Sequence, residues 1–145
     1  MMQPAFSWQT WAGLSAVFAA LTAILAKLGV GGINSNFATL IRTVFILILA
    51  AIIVSVTRAW QAPSSISPRS FLFLALSALA TGASWLCYFR ALQLGQASKV
   101  APVDKLSVVL VALFGVTFLG EKLSAMNWLG VIFVGAGAIL LAFKF

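Results

Sequence analysis

The chain has 145 residues, 63% of them hydrophobic and 8% charged, with a mean hydropathy of +1.13 that no water-facing surface could carry. Nine Lys and Arg stand against two acids and no His, and the cations are scattered singly, a pattern that argues against nucleic acid as a partner. With a lone Cys87, this inventory cannot build the usual metal sites, a Ser-His-Asp triad or an intrachain disulfide, so neither enzymatic chemistry nor a cofactor is expected.

A membrane span takes about 20 helical residues, so the chain holds at most five or six spans and no separate soluble domain. Met1 to Ser7 carries no Lys or Arg, which makes a poor signal-peptide start, and the first apolar run, 8–28, is read as a retained span. Gly29, Gly31, Gly32 and Asn34 then stop it. The second span covers 36–57 and holds Arg42 roughly 9 Å inside its start. Pro63, Ser64, Ser65, Ser67 and Pro68 mark the main exposed loop, and the third span follows over 70–94. A turn around Gly95 leads to the fourth span, 101–119, with Pro102 placed in its first turn. After a tight connection at Glu121–Leu123, Ser124 caps the fifth span, 125–143, and Lys144 marks its end. The fold class is thus all-α, a polytopic bundle of five transmembrane helices forming one domain over 1–145. Trp8, Trp11, Trp60 and Trp128 fall at one face, as an interfacial aromatic belt would place them.

An odd number of spans puts the termini on opposite faces, so two copies in inverted orientation can pair, as in transporters built from inverted repeats. One face holds Arg58, Arg69 and Lys122, the other Lys27, Arg90, Lys99 and Lys144, with Arg42 and Lys105 embedded toward that second face. Such a near balance allows insertion both ways.

Three helix faces stand out. Ala12, Ala16, Ala19, Ala23 and Ala26 form a small-residue stripe on span one, and Gly130 and Gly137, with Gly135, Ala138 and Ala142, do so on span five; both are read first as packing faces. On span three, Ser70, Ser77, Thr81, Ser84 and Tyr88 make a polar stripe, either returning hydrogen bonds to the helix or walling a solute path, with Trp85 beside it. The charges gather toward one face: Lys27, Arg42, Arg90, Lys99, Asp104 and Lys105. Adjacent helical residues diverge by about 100°, so Asp104 is expected to pair with Arg42 or Arg90 rather than Lys105, or to sit at a helix N-terminus without a partner. Arg42 and Lys105 lie deep enough that a partner or wet cavity is the default expectation, and the positive surplus favours an anionic or zwitterionic solute. The candidate solute-binding set is Thr39, Arg42, Ser77, Thr81, Ser84, Trp85, Tyr88, Arg90, Asp104 and Lys105.

The runs Ala101-Pro102-Val103-Asp104-Lys105-Leu106-Ser107, Phe118-Leu119-Gly120-Glu121-Lys122-Leu123-Ser124 and Asn127-Trp128-Leu129-Gly130, with Tyr88-Phe89-Arg90-Ala91-Leu92, Asn34-Ser35 and Arg42-Thr43, resemble EamA-type drug/metabolite transporters. The resemblance covers nearly the whole chain and is specific for family, not substrate. It implies secondary transport by alternating access, with a cavity lined by the first helices of two inverted repeats. This chain is one repeat long, like the five-span bacterial and archaeal branch, which implies a paired functional unit. Related four-span exporters exchange protons through a glutamate in their first helix; span one here has no acid, and Asp104 is the acid nearest the interior.

The leading expectation is a transporter of a small metabolite or drug-like solute, in the plasma membrane and surrounded by lipid bilayer, working as an antiparallel homodimer. A lipid-linked head-group flippase or one subunit of a heteromeric pair with another small membrane protein is the second. A non-transporting scaffold, in which the small-residue stripes are interaction faces, is the third.

Overall fold

The computed structural model describes residues 7–143; residues 1–6 and the expected terminal Lys144 lie outside the described residues. Among the described residues all regular structure is helical: α1 (Trp8–Gly29), α2 (Ser35–Val56), a 3₁₀ turn (Pro63–Ser65), α3 (Pro68–Leu94), α4 (Ala97–Asp104), α5 (Ser107–Phe118) and α6 (Ala125–Ala142). Counting α4 and α5 as one broken span, five helical segments are long and apolar enough to cross a membrane. The fold is therefore an all-α, polytopic five-span architecture.

The helix ends follow from local chemistry. Gly32 turns at φ +75°, and Asn34 caps α2 by accepting the amides of Asn36 (2.9 Å) and Phe37 (3.4 Å). At the other end of α2 the Arg58 amide donates to Ser55 (3.2 Å) and that of Ala59 to Val54 (2.9 Å), a Schellman closure with Arg58 at φ +53°, where glycine would be unstrained. Ser67 accepts the Ser70 amide (3.0 Å), so α3 starts at Pro68, two residues before the expected start. Ser124 accepts the Asn127 amide (3.2 Å) at the start of α6.

The fourth span differs most from expectation. It begins at Ala97 rather than 101, so Pro102 sits in the second turn of α4, not the first. A proline there supplies no amide to the turn before it and weakens the ladder. Downstream, the Lys105 amide is shared between Ala101 (3.2 Å) and Pro102 (3.1 Å). Leu106, Val108 and Val109 then donate three residues back, at 3.0 Å each. This tightened stretch separates α4 from α5.

The chain divides into two compact units. One runs from Lys27 to Gln93 and holds the end of α1, α2 and α3 up to Gln93. The other holds the remainder of α1 and everything from Leu94 onward, with α6 packed on α4 and α5. There the close approach falls at Gly135, where a Cβ would meet Val109 Cγ2 at 3.2 Å; Gly135 and Ala138 are buried, whereas Gly130 and Gly137 have nothing within 4 Å. The contact on α6 is thus carried by Gly135 and Ala138, not by the glycines seven apart. Of the alanine stripe on α1, Ala23 is buried, Ala26 half-buried, and Ala12, Ala16 and Ala19 exposed.

Candidate functional site

Within Lys27–Gln93, α2 carries Arg42 seven residues beyond Ser35, about 10 Å along the helix. Its guanidinium carbon lies 4.3 Å from the ring centroid of Trp85 and 5.5 Å from that of Phe89, both on α3, and Tyr88 is near enough to interact with it electrostatically. Trp85, Phe89 and Leu92 recur at steps of four and three, so they share one face of α3. Phe89 and Leu92 are fully packed, at 3% and 0% exposure, and Trp85 is half-buried. The attraction between a guanidinium and a ring quadrupole holds Arg42 on that face. It leaves the unit charge of Arg42 uncancelled.

Thr39, one turn before Arg42, is buried and donates its hydroxyl to the Ser35 carbonyl (2.9 Å); Thr43 in turn donates to Thr39 (2.8 Å). The donor of Thr39 is therefore spent on its own helix. The polar stripe of α3 lies elsewhere. Ser77, Thr81 and Ser84 are exposed, and Thr81 donates to the Ser77 carbonyl (2.9 Å). One residue step is about 100° of rotation, so Ser84 and Tyr88 stand beside the Trp85–Phe89 face rather than on it. Tyr88, half-buried, is where the two faces adjoin.

At the end of α3 the Arg90 guanidinium donates to Gln93 Oε1 (3.2 Å), and the Gln93 amide nitrogen donates to the carbonyls of Val30 (3.4 Å) and Ile33 in the α1–α2 connection. Lys27 Nζ donates to the Leu92 carbonyl, a cation on one of the last carbonyls of a helix. These bonds fasten the α1–α2 turn to the end of α3, beside an open cavity of about 270 Å³ lined by Lys27, Val30, Gly31, Gly32 and Gln93.

Asp104 and Lys105 belong to the other unit. Their side chains pair with each other, Nζ to Oδ2 at 3.2 Å, contrary to the expectation that Asp104 seeks Arg42 or Arg90. The physical reason is reach at a helix end: α4 stops at Asp104, and Lys105, its C-cap, keeps helical angles (φ −71°, ψ −7°), but its long flexible side chain spans the step to the neighbouring carboxylate. Glu121, the second acid, donates its amide to the Gly115 carbonyl (3.0 Å) in front of Gly120 at φ +69°. Its side chain lies over Gly115, where a Cβ would come within 2.6 Å of Oε2.

The structure thus brings together Arg42, Trp85 and Tyr88, with Thr39 one turn away. It places Ser77, Thr81 and Ser84 on an exposed face, engages Arg90 with Gln93, and pairs Asp104 with Lys105. Sequence reasoning missed Phe89 and Gln93. Their spacing, four beyond Trp85 and three beyond Arg90, was the available signal. Among the described residues no cluster of His, Cys, Asp or Glu could hold a metal ion.

Residues 6–143 match the EamA-like transporter family. The chain is 70% identical over 136 residues to an uncharacterized transporter in the cobO 3′ region of a Sinorhizobium species, covering 94% of this chain and 96% of that one. It is 27% identical over 106 residues to an uncharacterized transporter of Vibrio cholerae, covering 70% of this chain and 35% of that one. With Protein RarD of Salmonella typhi the identity is 26% over 106 residues, covering 72% and 36%. The chain therefore spans nearly all of the first relative and about a third of the other two. No solved structure gives a significant match.

Proposed function

We infer the function from one premise: the chain belongs to the EamA-like transporter family. It is a multi-pass membrane transporter of the drug/metabolite type. Beyond that, we propose that it moves a small metabolite or drug-like solute across the plasma membrane by alternating access, as an antiparallel homodimer. The observation that carries this reading is Arg42, held over Trp85 and Phe89 about 10 Å inside a span, in a unit with no acidic residue. An ionisable group at that depth marks a solute or ion pathway by default, because hydrocarbon gives it no solvation.

Two features support the paired arrangement. Five spans put the two ends of the helical region on opposite faces, so an inverted second copy forms the two-fold unit of inverted-repeat transporters. The hydroxyls of Ser77, Thr81 and Ser84 are exposed on the chain, and a second copy would turn them from a lipid-facing stripe into a wall.

Thiol labelling tests the arrangement. In a Cys87→Ala background, single cysteines replace Asn36, in the first turn of α2, and Ser64, in the loop that follows its other end, both exposed. An impermeant reagent applied to intact cells is expected to label both sites partially. Full labelling of one and none of the other would contradict the antiparallel homodimer and direct attention to an oppositely oriented partner protein.

A further inference from the structure

We propose that the Arg42 site takes a singly charged organic anion, a carboxylate on a flat apolar body; this rests on the transporter reading above and names the solute class of the same site. Among the described residues the chain has two acids, Asp104 and Glu121, and both lie outside the Lys27–Gln93 unit. Asp104 is held by Lys105 at 3.2 Å, and Glu121 is folded over Gly115. Between Lys27 and Gln93 the sequence places Lys27, Arg42, Arg58, Arg69 and Arg90 and not one Asp or Glu.

Lys27 and Arg90 sit at helix ends, where they bond the Leu92 carbonyl and Gln93, and Arg58 and Arg69 flank the main loop. Water and lipid phosphates serve cations at such positions. Arg42 is different, being two helical turns inside its span and drawn onto Trp85 and Phe89. Rings attract a guanidinium but contribute no net charge. The neutralising charge therefore comes from outside this unit, at a depth that a lipid phosphate at the interface does not share.

The remaining walls specify the rest of the ligand. One guanidinium, a planar fork of donors, matches one carboxylate in two parallel hydrogen bonds. Thr39 has its hydroxyl proton on Ser35, so the guanidinium is the principal polar anchor, and the rings of α3 that it lies against are those of Trp85 and Phe89. One fixed charged anchor beside aromatic rings selects an apolar ligand with one matching group, and aromatic faces favour a flat one.

Equilibrium binding to the purified protein in phosphatidylcholine nanodiscs tests this with three ligands of one shape: cinnamate, cinnamamide and cinnamylammonium. Cinnamate is expected to bind about tenfold or more tightly than the amide, as a charge-assisted pair to Arg42 requires, and the ammonium weakest. Arg42→Gln is expected to abolish the difference between acid and amide, and Arg42→Lys to keep part of it. Amide binding that persists in Arg42→Gln guards against misreading a folding defect, and Trp85→Leu, which leaves the charge in place, is expected to weaken acid and amide alike. Equal binding of the three, preference for the ammonium, no binding of any, or an acid preference that survives in Arg42→Gln would overturn the proposal. So would an anionic lipid that co-purifies only when Arg42 is present and that cinnamate does not displace. Acid-selective binding in a protein of single orientation would sink the antiparallel reading and leave this one standing. Transport of the ammonium independent of Arg42 would do the reverse.

Discussion

The two units solve the same problem, ionisable groups in an apolar chain, in opposite ways. In the unit that contains α4–α6, both acids stay beside their own helix ends: Asp104 pairs with Lys105 where α4 ends, and the Glu121 side chain lies over Gly115 where α5 ends. In the Lys27–Gln93 unit there is no acid to engage, so helix-end cations bond carbonyls and amides while Arg42 rests on rings. Pairing a charge with its sequence neighbour offsets it locally. Holding a charge on aromatic faces fixes its place and leaves its electrostatic demand open. The same contrast appears in what holds each unit together. One relies on the near approach of α6 to α5 at Gly135, the other on side-chain donors satisfying carbonyls of the α1–α2 turn.

That contrast can be broken at either end. The larger expected effect is in the packed unit: Gly135→Leu forces side-chain atoms into Val109, whose Cγ2 already stands 3.2 Å from an added Cβ. Overpacking of this kind costs about 1–3 kcal/mol, expected as a lower thermal aggregation midpoint in detergent, and an unchanged midpoint would mean that α5 and α6 do not touch there. The smaller is in the hydrogen-bonded unit. Gln93→Ala removes the donor to Val30 and Ile33, at about 1 kcal/mol per bond and less where water replaces it. Its expected signature is faster hydrogen exchange confined to residues 30–34, and uniform loss of protection would contradict a local clamp.

Much of this was legible in the residues themselves. Composition and apolar runs give the five spans, and short-range turn chemistry gives the Asn34 turn and the Ser124 cap, because each acts within three residues. The start of the fourth span is not legible: Gln96 makes no side-chain capping bond, so nothing marks Ala97, and Pro102 suits a first turn better than the second turn it occupies. The Asp104–Lys105 pair is not legible either, because the 100° rule describes where side chains leave the helix and not how far a flexible lysine reaches. Arg42 stood out by depth alone. Of its ring partners Trp85 is in the candidate set and Phe89 is not, because the hydroxyl stripe of α3 lies one residue step away from the face that Trp85 and Phe89 present. A periodic pattern identifies faces; which face meets a neighbour is decided by tertiary packing.

The central claim is that Arg42 serves a passing solute, and exchange of radiolabelled cinnamate in proteoliposomes measures it most directly. Arg69 supplies the control, an arginine 5.9 Å from the Phe73 ring but at the loop end of α3. Arg42→Gln is expected to slow exchange about tenfold or more, and Arg69→Gln to leave it within about twofold, since only the first loses a charge that has no substitute at its depth. Equal slowing in both variants, or full exchange in Arg42→Gln, would contradict the account.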